Sequence, residues 1–391
     1  MELRMSESGG MEMTMGYESG TFVGRAWRAD VEGPSLVTLR EGVLIDITSK
    51  AVPTMRDLLD LADPVAYVRS ASGEAIASLE AVLAKAEPRR DEIHLLAPCD
   101  LQAVKACGVT FARSMIERVI EERAAGDAAR AEAIRTRMTT LIGDSLRNLK
   151  AGSPEAAGVK AALIEEGVWS QYLEVGIGPD AEVFTKAQPL SSVGWGAAVG
   201  LHPISRWNNP EPEIVLAVSA DGRAKGATLG NDVNLRDVEG RSALLLGKAK
   251  DNNASCAIGP FIRLFDETYS IDDVRKADLD LLIEGQDGFR LEGASTMREI
   301  SRDPLDLVAQ TIGPHHQYPD GLMLFMGTLF APVEDRGEPG QGFTHKIGDV
   351  VTISSPALGS LVNTVRLSTD CPPWRFGAAA LMRNLARRGL L

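Results

Sequence analysis

The sequence predicts an α+β protein, and three features predict it. From residue 170 onward, short apolar runs such as "EIVLAVS", "KGATLGNDVNL", "DLDLLIEGQDGFRLEG", "GLMLFMGTLFAP" and "DVVTISSPALGSLVNTV" are separated by Gly, Pro, Asn and Asp. Strand-length pieces with such punctuation indicate a large mixed β structure rather than a doubly wound α/β domain. Between Ser114 and about Gly167 the pattern is instead helical, with apolar residues at three- and four-residue steps and Glu/Arg pairs between them. Ahead of both, "TFVGRAWRADVEGPSLVTLREGVLIDIT" alternates like paired strands, and "VPTMRDLLDLADPVAYVRSASGEAIASLEAVLAKA" reads as helical.

These features divide the chain into a flexible tail (1–20), a small N-terminal α/β domain (21–95) and a large domain (96–391). The helical insertion occupies about 110–167. A length of 391 residues suits that organisation. "IHLLAPCDLQAVKACGVTF" opens the larger domain as strand, turn and strand, and "YLEVGIGPDAEVFTKA" is expected among its β runs. "WRFGAAALMRNLARRGLL" closes the chain as a helix with cations in its last turn.

The net charge of −13 argues against nucleic acid and anionic membranes as partners, because such a surface repels both. Four widely spaced cysteines form no CxxC pair and fit reduced thiols. No apolar stretch is long enough to span a bilayer, and the N-terminus lacks a signal-peptide core. The expected setting is the cytoplasm.

The chemistry concentrates in "NNPEPEIVLAVSADGRAKGATLGNDVNLRD", residues 208–237. Glu211 and Glu213 flank Pro212 at the start of a strand, so their side chains share a face. Asp232 ends the next β run, where a turn can return its carboxylate to the pair. Two acids so close raise each other's proton affinity unless a cation sits between them. An oxygen-only set with open positions suits Mg²⁺, with Mn²⁺ as the other candidate, better than Zn²⁺. Taken alone, acids at strand ends are more often solvated than metal-bound. Lys250 falls in the small-residue loop "GKAKDNNASCAIGP", and Gly327-Thr328 is a strand-to-loop step with backbone N–H groups available to an anion.

Taken in order, E-P-E, "GATLGNDVNLRD", K-D-N-N-A-S-C-A-I-G-P, "PDGLMLFMGT" and "HKIGDVVTIS" resemble the fumarylacetoacetate hydrolase family. The resemblance covers roughly 97–391. It implies a mixed β-roll fold, a mobile lid and a homodimer or homotetramer. It also implies that Glu211, Glu213 and Asp232 bind a divalent metal. Lys250 corresponds to the active-site lysine, and Arg236 and the Gly327-Thr328 step contact the bound acid.

The lid departs from that pattern. Family hydrolases carry G-x-N-Y-x-x-H-x-x-E where this chain has "GVTFARSMIE", so Phe111 replaces Tyr, Ser114 replaces His and Glu117 keeps its place. Ser114 and Glu117 are three residues apart on one helical face. Serine is no base for activating water at neutral pH, which disfavours hydrolysis. The lid and the stretch "SQYLEVGIGPDAEVFTKAQPLSSVGWG" are most similar to the family's 2-keto-3-deoxy-pentonate dehydratases. That similarity implies loss of water from such a sugar acid to give 2,5-dioxopentanoate, with Glu117, Lys250 and Ser114 as the candidate catalytic residues. Acylpyruvate hydrolysis, oxaloacetate decarboxylation and a non-catalytic binding module are the rival readings.

Other features invite blander explanations. The helix beyond Glu117 reads as a solvated amphipathic hairpin. His315 and His316 are adjacent, so in a strand one would be buried and one exposed. Cys256 has no nucleophile elbow around it and reads as core. Trp195 and Trp207 read as packing residues.

Overall fold

The computed structural model describes residues 17, 19–85, 87–125, 127–131, 134, 149–165, 167, 169–330, 332, 334–336 and 342–391, without the side chains of 112–114. The predicted tail falls largely, and the helical pattern over 135–148 wholly, outside the described residues.

Among the described residues, sixteen strands form two sheets. They are β1 (Phe22–Arg28), β2 (Gly33–Arg40), β3 (Val43–Asp46), β4 (Glu74–Ser78), β5 (His94–Leu96), β6 (Ala103–Gly108), β7 (Glu182–Ala187) and β8 (Ala198–Leu201), then β9 (Pro212–Val218), β10 (Ala224–Asp232), β11 (Cys256–Leu264), β12 (Asp278–Glu284), β13 (Arg290–Thr296), β14 (Leu322–Phe325), β15 (Val350–Ser355) and β16 (Gly359–Leu367). The larger sheet runs β4-β3-β2-β1-β11-β10-β9-β14-β6-β7, with β5 also paired to β1, and the smaller runs β13-β12-β15-β16-β8. Mixed sheets with helices packed on them agree with the α+β class.

The burial of each strand follows its sequence. In β9 all seven residues, PEIVLAV, are buried, as a continuous apolar run at the centre of a covered sheet requires. In β12, DLDLLIE alternates exposed and buried, because one face looks into the core and the other into water. Ile214, Leu216 and Val218 of β9 join Leu279, Leu281 and Ile283 of β12 and Ile353 of β15 in one cluster between the sheets. Val215 and Ala217 face the other way. They pack with Phe325, Ile258 and Ile262 and with Met55, Leu58 and Val68 from the helices Met55–Leu59 and Pro64–Ser70.

That second cluster bears on the segment predicted as a small N-terminal domain. Strands β1 to β4 continue the larger sheet through the antiparallel pairing of β1 with β11. The helices that follow cover the sheet face to which Glu211 and Glu213 also belong by alternation. The stretch 53–85 is also less uniformly helical than its pattern predicts, since β4 interrupts it.

One short element differs in type. Gln171–Ile177, predicted among the β runs, is a helix whose N-cap Ser170 accepts from the Tyr172 N–H. Short apolar runs are ambiguous by periodicity, and the cap decides this one. His315 and His316 are corrected as well: they lie in a turn and both are exposed. Cys256 and Trp195 are buried in the core as read from the sequence.

Gly230 of β10 lies opposite Glu213 in the register. A Cβ there would come within 2.3 Å of the Phe325 ring and 2.5 Å of Val215. Gly230→Ala is expected to cost about 1–3 kcal/mol by urea denaturation, as overpacked cores do. Gly158→Ala, on the helix Pro154–Glu165 with open space around it, is expected to stabilise by up to about 1 kcal/mol.

Candidate metal centre and active site

The antiparallel register of β9 and β10 assembles the acidic triad. Gly230 pairs with Glu213 and Asn231 with Pro212, and the Asp232 N–H donates to the Glu211 carbonyl at 3.0 Å. Glu211 and Glu213, two apart around Pro212, thus face the side to which Asp232 returns. All three are buried, and each offers an oxygen within 4.8 Å of the others.

Two lysines neutralise part of this charge. Lys250, the last residue of the short helix Leu246–Lys250 rather than part of an open loop, places its ammonium 2.6 Å from Glu211 Oε2 and 2.9 Å from Asp232 Oδ2. Lys186 of β7 reaches Asp232 Oδ1 at 2.8 Å. Burial alone would depress the Lys250 pKa, but Asp232, Glu211 and Glu239 hold it above its ordinary value. Glu213 has no cationic partner among the described residues. Burial, and then the charges of Asp232 and Glu211, push its carboxyl well above the usual range.

The Gly327-Thr328 step serves the triad in place of the predicted open anion cradle. The Gly327 N–H donates to Glu213 Oε2 at 2.7 Å, and the Thr328 hydroxyl donates to the Pro212 carbonyl at 3.0 Å. Gly327 has φ of +88°, and a Cβ would meet Thr110 Oγ1 at 2.0 Å. Glycine is therefore what lets this backbone approach the carboxylate.

A helix closes the site from above. Residues Ala112–Ala124 carry Glu117, Arg118 and Glu121, all lining a cavity of about 40 Å³ with the triad, Lys250 and Arg236. Arg236 Nε donates to Glu121 Oε1 at 2.7 Å, and its Nη2 lies 3.3 Å from Glu117 Oε2. Its guanidinium stacks 4.3 Å from the Trp207 ring centroid, so Trp207 packs and also orients. Ser114 is on the same helix, but its side chain lies outside the described residues.

The helix therefore corrects the expectation of a solvated surface beyond Glu117, because Glu121 is 2% exposed. Arg118, Glu121, Lys186 and Glu239 all belong to the site and went unpredicted. The i, i+4 spacing of Glu117 and Glu121 was the available signal. Burial, opposed by Arg118, lifts the Glu239 carboxyl to about 7.

Residues 178–366 match the fumarylacetoacetate (FAA) hydrolase C-terminal family. The chain is 32% identical over 188 residues to 2-dehydro-3-deoxy-D-arabinonate dehydratase of Saccharolobus solfataricus, a match spanning 47% of this chain and 58% of that protein. It is 28% identical over 256 residues to the probable 2-keto-3-deoxyxylonate dehydratase of Haloferax volcanii, spanning 66% of this chain and 84% of that protein. Its fold is similar to 2-keto-3-deoxy-D-arabinonate dehydratase in the apo form, with a TM-score of 0.62 at 19% identity over 88% of this chain and 99% of that one. The same dehydratase complexed with magnesium and 2,5-dioxopentanoate gives 0.61 at 20% identity, with the same coverage.

The donor set fits a hard divalent ion: three buried carboxylates converge, and among the described residues Glu213 has no cationic partner. Adding Mg²⁺ at a hundredfold excess over its Kd is expected to stabilise the fold by about 2.7 kcal/mol, read as a higher thermal midpoint. Glu213→Gln is expected to raise the metal-free midpoint and to abolish most of the Mg²⁺ response.

Proposed function

We propose that the protein is a Mg²⁺-dependent hydro-lyase acting on a 2-keto-3-deoxy-pentonate of the D-arabinonate or D-xylonate type, giving 2,5-dioxopentanoate and water. One observation carries the reading. The acidic triad, Lys250, Arg236 and Glu117 line a single cavity, while Ser114 stands where family hydrolases carry histidine. The named dehydratases among its relatives support it.

Glu211, Glu213 and Asp232 would hold the metal. When bound, it supplies Lewis-acid stabilisation of the enolate formed at C2, worth several kcal/mol. The ion pairs of Lys250 keep it protonated, so it acts as a cation beside the C2 oxygen and the carboxylate rather than as a base. Glu117, aimed into the cavity beside Arg236, moves a proton at C3 or at the departing hydroxyl. A C3 proton is removed, the C4–O bond breaks, and the protonated hydroxyl leaves as water. Moving the resulting double bond toward C5 gives the enol of the C5 aldehyde, which tautomerises to the product. No attacking water is needed, consistent with the loss of the lid histidine. Arg236 positions the substrate acid, and Gly327 and Thr328, whose N–H and hydroxyl serve Glu213 and the Pro212 carbonyl, bound the same cavity.

Incubation with Mg²⁺ and each 2-keto-3-deoxy-pentonate, coupled to NAD(P)-linked oxidation of the semialdehyde, is expected to show turnover that EDTA removes. Release of pyruvate from an acylpyruvate, or of CO₂ from oxaloacetate, with no semialdehyde would instead favour a hydrolase or decarboxylase. Glu117→Gln is expected to lower kcat by about 10²–10⁴-fold while Mg²⁺ affinity stays near that of the wild type. Near-normal turnover in this variant would remove Glu117 from the mechanism.

A further inference from the structure

Above the triad the charges alternate. Arg118 Nη2 lies 2.6 Å from Glu211 Oε1. Its Nη1 lies 2.6 Å from Glu121 Oε2 and 2.9 Å from Glu239 Oε2. Two edges of one planar guanidinium thus do different things. The Nη1 edge is held by acids from two helices, Ala112–Ala124 and Arg236–Glu239, neither of which contributes to the triad. The Nη2 edge occupies an oxygen of a carboxylate that faces the other two triad acids.

We propose that Arg118 and a divalent cation compete for Glu211, so that metal loading frees the Nη2 edge for the substrate carboxylate while Glu121 and Glu239 keep it aimed into the cavity. The inference rests on the metal-site reading above and adds a residue that the motifs do not mark. Four considerations support it.

The other oxygen of Glu211 is taken by Lys250 at 2.6 Å, and Oε1 also accepts from Asn234 Nδ2 at 3.1 Å. A metal ligand made from Glu211 must therefore give up a cationic partner. Arg118 can release this contact without becoming an unpaired buried charge, because two acids stay with it. An arginine also presents parallel N–H groups matched to a carboxylate, which a lysine does not. Glu121 is shared by Arg118 and Arg236, so the same acid sets the spacing of two cations that line the cavity. Arg118 is a positioning residue for the metal ligand and a specificity residue for 2-keto acids.

Mn²⁺ titration followed by the EPR signal of the free ion, with the full-length protein, tests this. Arg118→Gln is expected to bind Mn²⁺ about tenfold more tightly than the wild type, since a unit charge a few ångströms from the ligand is removed. Pyruvate binding to the same Mn²⁺-loaded variant is expected to weaken by about tenfold. Arg118→Lys keeps the charge and is expected to hold Mn²⁺ within about threefold of the wild type, without recovering full pyruvate affinity. Glu239→Gln is expected to shift Mn²⁺ affinity the other way, because Arg118 then leans more on Glu211. Unchanged or weaker Mn²⁺ binding by Arg118→Gln, with a wild type that binds, overturns the competition alone. Unchanged Mn²⁺ binding by Glu239→Gln overturns it too, should Arg118→Gln not fold. A wild type that binds no Mn²⁺ overturns the metal-site reading and this inference together.

Discussion

Three carboxylates of like charge, held within 4.8 Å of one another away from water, are the constraint on which the rest of the structure depends. Such a cluster is unfavourable by itself, since burial and mutual repulsion both oppose ionisation. Backbone pairing forces it. Strands β9 and β10 sit in mid-sheet with their register set by apolar partners on both faces, and the acids lie where that register ends. Lys250 and Lys186 come from a helix and a strand on the flank and reach in to Glu211 and Asp232. Among the described residues Glu213 receives a backbone N–H but no cation, and a bound divalent ion would favour its ionised form.

Much of the remaining architecture keeps this cluster dry and fixed. The N-terminal strands lengthen the sheet, and the helices Met55–Leu59 and Pro64–Ser70 cover the apolar part of the same face. Residues Ala112–Ala124 close the other end by laying acids and a guanidinium over the site. In a small, water-poor cavity each ion pair is stronger than it would be at the surface. Breaking one by removing a single partner leaves its mate buried and exposed to the full desolvation cost. The site is thus a connected set of charges, and single substitutions within it are felt by several neighbours.

The triad was legible in the sequence because its signal is local. Two glutamates around a proline at a strand start must share a face, and the apolar runs on either side mark them as near a core. The motifs that follow in fixed order added Lys250, Arg236 and Thr328, and the structure places all of them around one cavity. What was not legible is non-local. A charged residue on an amphipathic helix looks the same whether it meets water or a buried site, so Arg118 and Glu121 read as surface. Lys186 and Glu239 likewise gave no sign of their partners, 46 and 121 positions away in Asp232 and Arg118. The pairing of β1 with β11 joins segments more than two hundred residues apart, which composition cannot reveal. Tyr172–Ile177 is too short for its periodicity to separate helix from strand.

The central claim is that Glu211, Glu213 and Asp232 grip one small hard cation that activates a 2-keto acid. Diffraction from crystals soaked in Mn²⁺, using its anomalous signal, tests this most directly. The account predicts a single strong peak among the three carboxylates, with ligand distances close to the roughly 2.0–2.1 Å of the Mg²⁺ it replaces, and the Lys250 ammonium moved off at least one of its two acids. An empty triad with Lys250 still bridging Glu211 and Asp232 at saturating Mn²⁺ would contradict it.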